Sequence, residues 1–283
     1  MVDRLKPEHK ITTICKVINL SPRTYHANKK RTLSKREIFN QFVRRNILEI
    51  YHKSDKRFGA YKINNKLKEQ GINISIGKLY RILSNMQLPS VYTKKPQFKY
   101  YKSDNDIKYT NILKRNFHTE APNKVWVSDI TYVKVNGKNN FVCIVLDLFS
   151  RKIVSYTCSS NMKKELVIET LSKAMRNRHY PKNVIFHSDR GSQYTSKDFR
   201  RLIDSYDIVQ SFSKAGCPYD NAVAEAFFKY YKQGETNRRS YRTLDELKLA
   251  TFEYVEKYYN NYNPHSHNGG RTPNQTEKDF WAA

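Results

Sequence analysis

Acidic residues are scarce in this chain of 283. Only 26 Asp and Glu stand against 52 Lys and Arg, for a formal net charge of +26. Cysteine is scarcer still. Cys15, Cys143, Cys158 and Cys217 have no short paired spacing, which suits neither a zinc site nor a disulfide frame and fits a reducing cytosol. The 8 histidines are scattered, and the closest pair, His265 and His267, sits among Pro, Asn and Gly residues that mark a loop. No run of about 18 apolar residues occurs, so no membrane-spanning helix is expected, and the first 30 or so residues lack a secretory pattern.

The positive charge is uneven. Residues 1–120 hold 27 Lys and Arg against 9 Asp and Glu, while the remainder holds 25 against 17. Such a skew marks a polyanion-binding arm. The 21 tyrosines, interleaved with cations as in Lys99-Tyr100-Tyr101-Lys102, are suited to base and sugar contacts. No strongly amphipathic basic helix with an exposed apolar face stands out, so a membrane surface is not the expected partner.

The basic arm is helical by pattern. Ile11, Ile14, Cys15 and Ile18 recur at helical spacing, and Ser21-Pro22 restarts a helix with cap and first residue. A longer helix is expected over 34–52, with Ile38, Phe42, Ile47 and Ile50 or Tyr51 inward. A helix over 61–69, the turn residue Gly71 and a helix capped by Ser75 make a second helix-turn-helix candidate. In its last helix Ile76, Leu79, Tyr80 and Leu83 form the expected inner face. Lys78, Arg81, Ser84 and Asn85 form the outer face, with Lys78, Arg81 and Asn85 the candidate DNA contacts in a major groove. The expected organisation is a DNA-binding region at 1–90, a basic linker at 91–122 and a core at 123–283.

From Lys124 the pattern changes to strand-like runs at 125–135, 139–149 and 152–158, the first two joined by Asn136-Gly137-Lys138. A helix at 163–178, a strand ending at Asp189, a helix at 196–206 and a short strand at 209–212 follow. Such an order predicts a mixed α/β sheet carrying helices. A helix over 244–259 and a polar tail close the chain.

Three carboxylates occupy distinctive places. Asp129 lies within the first strand-like run, Asp189 ends a later one, and Glu225 follows Asp220-Asn221 on a helix that Asp220 is expected to cap. Three such charges about 4 Å apart would repel by roughly 4 kcal/mol per pair at an effective dielectric near 20. Divalent cations relieve this, and hard oxygen ligands favour magnesium or manganese. Asp147 is a rival at a strand end, with a turn bond or a pair with Arg151 the preferred reading. His187, two residues before Asp189, either shapes the site or packs in the strand.

The block His187-Ser188-Asp189-Arg190-Gly191-Ser192-Gln193-Tyr194-Thr195-Ser196, then Ser213-Lys214-Ala215-Gly216 and Asp220-Asn221-Ala222 before Glu225, resembles the DDE transposases of the insertion-sequence-three family. The 35 residues between Asp189 and Glu225, and Lys232 seven after Glu225, match as well. The resemblance runs from about residue 57 to 273. It implies a ribonuclease-H-like, retroviral-integrase-like core behind an all-α helix-turn-helix region, in the cytoplasm with the nucleoid. It also implies two magnesium ions, with manganese as substitute, held by Asp129, Asp189 and Glu225. Arg190, Gln193 and Lys232 become expected DNA contacts. The implied reaction is strand cleavage and strand transfer at terminal inverted repeats and a target, by a homo-oligomer on double-stranded DNA, with an upstream-frame product as partner or fusion. A non-catalytic regulator and a general metal nuclease are the alternatives. One departure is Asn263, where family members commonly carry Arg.

Overall fold

A computed structural model describes residues 2–30, 32–93, 110–214 and 217–283, so Lys99-Tyr100-Tyr101-Lys102 and Ala215-Gly216 lie outside the described residues. The chain divides after Glu49 into two compact units. The first holds helices α1 (Val2–Leu5), α2 (Ile11–Val17) and α3 (Pro22–Lys30) and most of α4 (Lys35–Lys53). Ile14, Cys15 and Tyr25 form a small buried cluster there, flanked by Ile11, Ile18 and Leu20. Ser34 and Glu37 cap α4 reciprocally, each side chain accepting the other's backbone N–H. Val43, Ile47, Ile50 and Tyr51 are its buried residues, whereas Ile38 and Phe42 are exposed. The apolar residues of α4 run around more than one face, so periodicity alone selected the wrong early turn.

The second unit opens with α5 (Ala60–Glu69) and α6 (Ile76–Asn85). Gly71, at φ +76°, makes the turn between them, and the Ser75 hydroxyl accepts the Lys78 N–H at 3.3 Å to cap α6. Leu79, Ile82 and Leu83 are buried, while Ile76 and Tyr80 face solvent. The expected inner face is therefore rolled by roughly 60° at about 100° per residue. A helix this short offers two overlapping apolar stripes, and packing against α5 selects one.

Five strands form the sheet: β1 (Val125–Val135), β2 (Lys138–Asp147), β3 (Ile153–Ser159), β4 (Ile185–Ser188) and β5 (Val209–Phe212), in the order β3-β2-β1-β4-β5. The first three are antiparallel neighbours, and β4 and β5 run parallel to β1. This is the ribonuclease-H-like arrangement. Asn136 and Gly137, at φ +45° and +75°, supply the two left-handed positions of a tight hairpin. Helix α7 (Lys164–Asn177) packs on β2 and β3 and touches α8 (Lys197–Ser205). Trp126, Cys143, Val145, Leu171, Phe186 and Phe199 are among the residues of the core beneath them. Helix α9 (Ala222–Gly234) lies against β1, and α10 (Leu244–Phe252) against β3.

Two features of the last segment depart from expectation. The chain after α10 widens into a π-helix, Glu253–Asn260, and its final residue Asn260 uses both amide atoms on the backbone of Ile153, each at 3.0 Å. The expected polar tail contains a further helix, α11 (Pro273–Ala282), started by a Thr272/Gln275 capping box with Pro273 in its first turn. Its Glu277 is buried beside Arg178, Lys152 and Ser150.

Candidate active site

Ser128 organises this region from one strand position. Its backbone carbonyl accepts the Asn221 side-chain amide at 3.0 Å, tying the start of α9 to β1. Its hydroxyl donates to the Ile144 carbonyl at 2.7 Å and shares a 2.8 Å hydrogen bond with the Tyr194 hydroxyl. Tyr194 belongs to the turn that follows Asp189, so the elements bearing all three carboxylates meet at the residue preceding Asp129. Ser128, Tyr194 and Asn221 are all buried. A hydroxyl next to an aspartate leaves no signature in a sequence, so this hub was not among the expected site residues.

Asp129 is half-buried on β1, Asp189 stands one residue past β4, and Glu225 lies on the exposed side of α9. All three reach solvent, yet dense packing around them strips part of their hydration and raises each carboxyl above its ordinary value. Asp129 is raised most, to about 8, by burial first and then by Asp189, with Glu225 a weaker repulsion. The Gly191 N–H donates to Asp189 Oδ1 at 3.0 Å, and a Cβ at Gly191 would come within 3.0 Å of that same oxygen. Among the described residues no three His, Cys, Asp or Glu side chains close into a finished metal cage. The expected 4 Å cluster is thus not closed among the described residues, with Asp189 and Glu225 exposed and Asp129 half-buried. Its donor chemistry still suits a hard divalent cation: three oxygen ligands, mutual repulsion, and a buried Asn221 amide oxygen without a hydrogen-bond donor among the described residues.

Lys232 stands with the carboxylates. Its ammonium lies 4.5 Å from the centre of the Tyr132 ring, and its attraction to Asp129 opposes the burial that lowers its pKa. Arg190 donates to the Ser213 carbonyl at 3.0 Å, and Gln193 to the Met162 carbonyl at 3.0 Å. Lys78 is half-buried on α6, and Arg81 and Asn85 are exposed there.

The rival carboxylates have other work. Asp147 is fully buried and accepts the backbone N–H groups of Asn123 and Phe149 and the Trp126 indole. Its cationic neighbour is Arg178, 3.9 Å away, not Arg151. Asp220 does not cap α9. It is drawn instead to Arg115 at 2.6 Å, Asn111 and the Lys214 N–H, and although burial pushes its carboxyl up, Arg115 and these donors hold it below the usual range. His187 is packed between the Ser211 and Ser213 hydroxyls, and burial drives its pKa to about 4. It is a neutral strand histidine. His265 pairs with the Tyr259 hydroxyl and His267 with Arg151. Asn263 is buried and accepts from Lys62 at 2.6 Å, so a cation stands beside this position.

Residues 119–218 match the model of the integrase core domain, and residues 206–273 match a second integrase core domain model. The transposase InsF for insertion sequence IS3A of Escherichia coli K12 is 28% identical over 278 residues, spanning 98% of this chain and 96% of the relative. The transposase for insertion sequence element IS904 of Lactococcus lactis is 31% identical over 251 residues, spanning 88% and 98%. Among solved structures, the intasome of simian T-cell lymphotropic virus aligns with 76% of this chain and 70% of its own at 18% identity and a TM-score of 0.45. The HTLV-2 integrase catalytic core in complex with magnesium aligns with 56% and 98% at 20% identity and a TM-score of 0.41. The sheet order, the spacing of the carboxylates and the similarity to transposases along nearly the whole chain agree, and the protein belongs to the insertion-sequence-three family of DDE transposases.

Proposed function

We propose that Asp129, Asp189 and Glu225 hold two magnesium ions, replaceable by manganese, and that the chain cleaves and joins DNA at the terminal inverted repeats of its element. The observation that carries this reading is the crowding of Asp129. Burial first, and then the charges of Asp189 and Glu225, push its carboxyl up to about 8, a setting that a divalent cation would relieve. When bound, such ions polarise a phosphodiester and lower the pKa of an attacking water or 3′-hydroxyl. The protein's own contribution is positional. Ser128 fixes the strand, turn and helix that present the carboxylates, and Gly191 leaves room for the Asp189 carboxylate. The chain works as an oligomer on paired ends, with an upstream-frame product as partner or fusion. Cleavage is expected with magnesium or manganese and DNA binding without cleavage in calcium, which prefers looser coordination. Undiminished cleavage in excess chelator sinks the metal assignment.

DNA contacts divide between the α6 surface and the carboxylate site in this reading. Residues 1–90 recognise the repeats, 91–122 track the backbone, and 123–283 carry the chemistry. Lys232→Ala is expected to lower cleavage while leaving end binding nearly intact, with Lys232→Arg keeping part of the rate through its charge. Lys78→Ala and Arg81→Ala are expected to weaken binding and to flatten its salt dependence by about one unit of slope for each phosphate no longer bound. Arg190 and Gln193 follow Asp189 in its turn and are assigned to DNA near the cut. Filter binding across a salt series and a cleavage time course separate the two groups. The reverse pattern would reassign both.

A further inference from the structure

A cavity of about 320 Å³ lies on a different face of α9 from Glu225. At about 100° per residue, its lining positions Ala222, Val223, Ala226 and Tyr230 centre roughly a third of a turn away from Glu225, Lys229 and Lys232. Six tyrosine and phenylalanine rings line it, Tyr92, Tyr230 and Tyr259 among them, and no Asp or Glu does so among the described residues. Its size falls at the lower end of the ~300–1,000 Å³ of ligand pockets.

Two cations line the same cavity. Arg151 is only 8% exposed, and its NH1 has no hydrogen-bond partner among the described residues. Its NH2 is engaged, donating to the Phe117 carbonyl at 2.8 Å and lying 3.2 Å from His267 Nδ1. A buried guanidinium nitrogen with donors unspent calls for an anion. The backbone of Arg151 also sits at φ +63°, a left-handed conformation that favours glycine or asparagine over a long side chain. Lys62 is the second cation, its ammonium 5.9 Å from the Tyr92 ring centre and bonded to Asn263. Burial drives His265 to a pKa of about 3, so it adds no charge. Aromatic faces beside two cations, one of them with an unspent donor, match the two halves of a nucleotide.

We propose that this cavity receives a single nucleotide lifted out of the DNA strand near the cut, its base stacked on the tyrosines and its phosphate held by Arg151 and Lys62. This rests on the reading that the chain binds element ends. Held there, the nucleotide would lie about one helix width, on the order of 10 Å, from the carboxylates. It would fix the strand's register relative to the scissile bond.

The test uses the full chain and duplex DNA carrying the element's end, with 5-iodouracil placed singly at successive positions. Irradiation and peptide mapping should yield one position cross-linked to Tyr92, Tyr230 or Tyr259. Arg151→Gln and Tyr230→Ala should each lower that yield about tenfold, the order of one missing base stack or ion pair. Tyr230 is 46% exposed, so its variant carries the test even where Arg151→Gln fails to fold. Bound DNA that cross-links at no cavity tyrosine overturns this inference alone. Deoxyadenosine monophosphate that binds in an Arg151-dependent way, with no DNA cross-link, assigns a free nucleotide instead and overturns the DNA version. A chain that fails to shift the DNA at all overturns the end-binding reading as well.

Discussion

Asp129→Asn, Asp189→Asn and Glu225→Gln should each abolish cleavage and joining while leaving DNA binding intact. Each swap keeps the shape of the side chain and removes one anionic ligand. Losing several kcal/mol of metal-borne stabilisation lowers the rate by about a thousandfold or more. The three variants differ in a second respect. Asp129 carries the largest burden of burial and repulsion, so Asp129→Asn should raise stability in metal-free buffer, where the parent must either charge or protonate a crowded group. Glu225 is exposed, and Glu225→Gln should leave stability nearly unchanged. Single-turnover cleavage of labelled end DNA measures the first effect and urea denaturation the second. Parent-like turnover by any one variant would remove that residue from the triad.

The second large effect is expected at Arg57, far from the carboxylates in sequence. Its guanidinium binds Glu235 at 2.6 Å and donates to the Gly234 carbonyl at 2.9 Å, both at the C-terminal end of the helix that carries Glu225. The Tyr254 and Tyr258 rings lie 5.4 and 4.6 Å from it. Both charges are almost completely buried. Arg57→Ala leaves the Glu235 carboxylate with Arg239 as its cation and the Tyr241 hydroxyl as a further donor, and removing one partner of a buried pair costs about 3–5 kcal/mol. The double replacement Arg57→Met with Glu235→Leu should cost less than Arg57→Ala, because the charge that loses its partner is then the half-exposed Arg239 and not a buried carboxylate. Urea midpoints followed by fluorescence of the buried Trp126 compare these chains. An unchanged midpoint for Arg57→Ala would show that the pair contributes nothing to holding α9.

What the sequence made legible was local. The Asn136-Gly137 hairpin, the Ser75 cap and the strand-to-turn step at Asp189 each depend on neighbours within a few residues, and each lies where expected. The misreadings involve distant partners. Asp220 has the composition of a cap, but Arg115 and Asn111, more than 100 residues away, claim its carboxylate. Helix α11 carried a readable Thr272-Pro273 start, yet its polar composition hid a Glu277 buried by residues 99 to 127 positions earlier. At the candidate site the carboxylates were legible through their spacing. Ser128, Tyr194 and Asn221, which bring the three elements together, were not, because their hydrogen bonds cross 16 to 93 residues. Spacing marked the carboxylates, and long-range polar contacts bring together the elements that carry them.

The central claim is that this chain joins DNA ends as well as cutting them. The most direct measurement incubates the full chain with labelled terminal-repeat DNA and magnesium and resolves the products by size and sequence. Nicks confined to the element's ends, together with molecules in which one end is covalently joined to another, are the expected result. Binding without cleavage, or nicks scattered along the DNA with no joined ends, would contradict it.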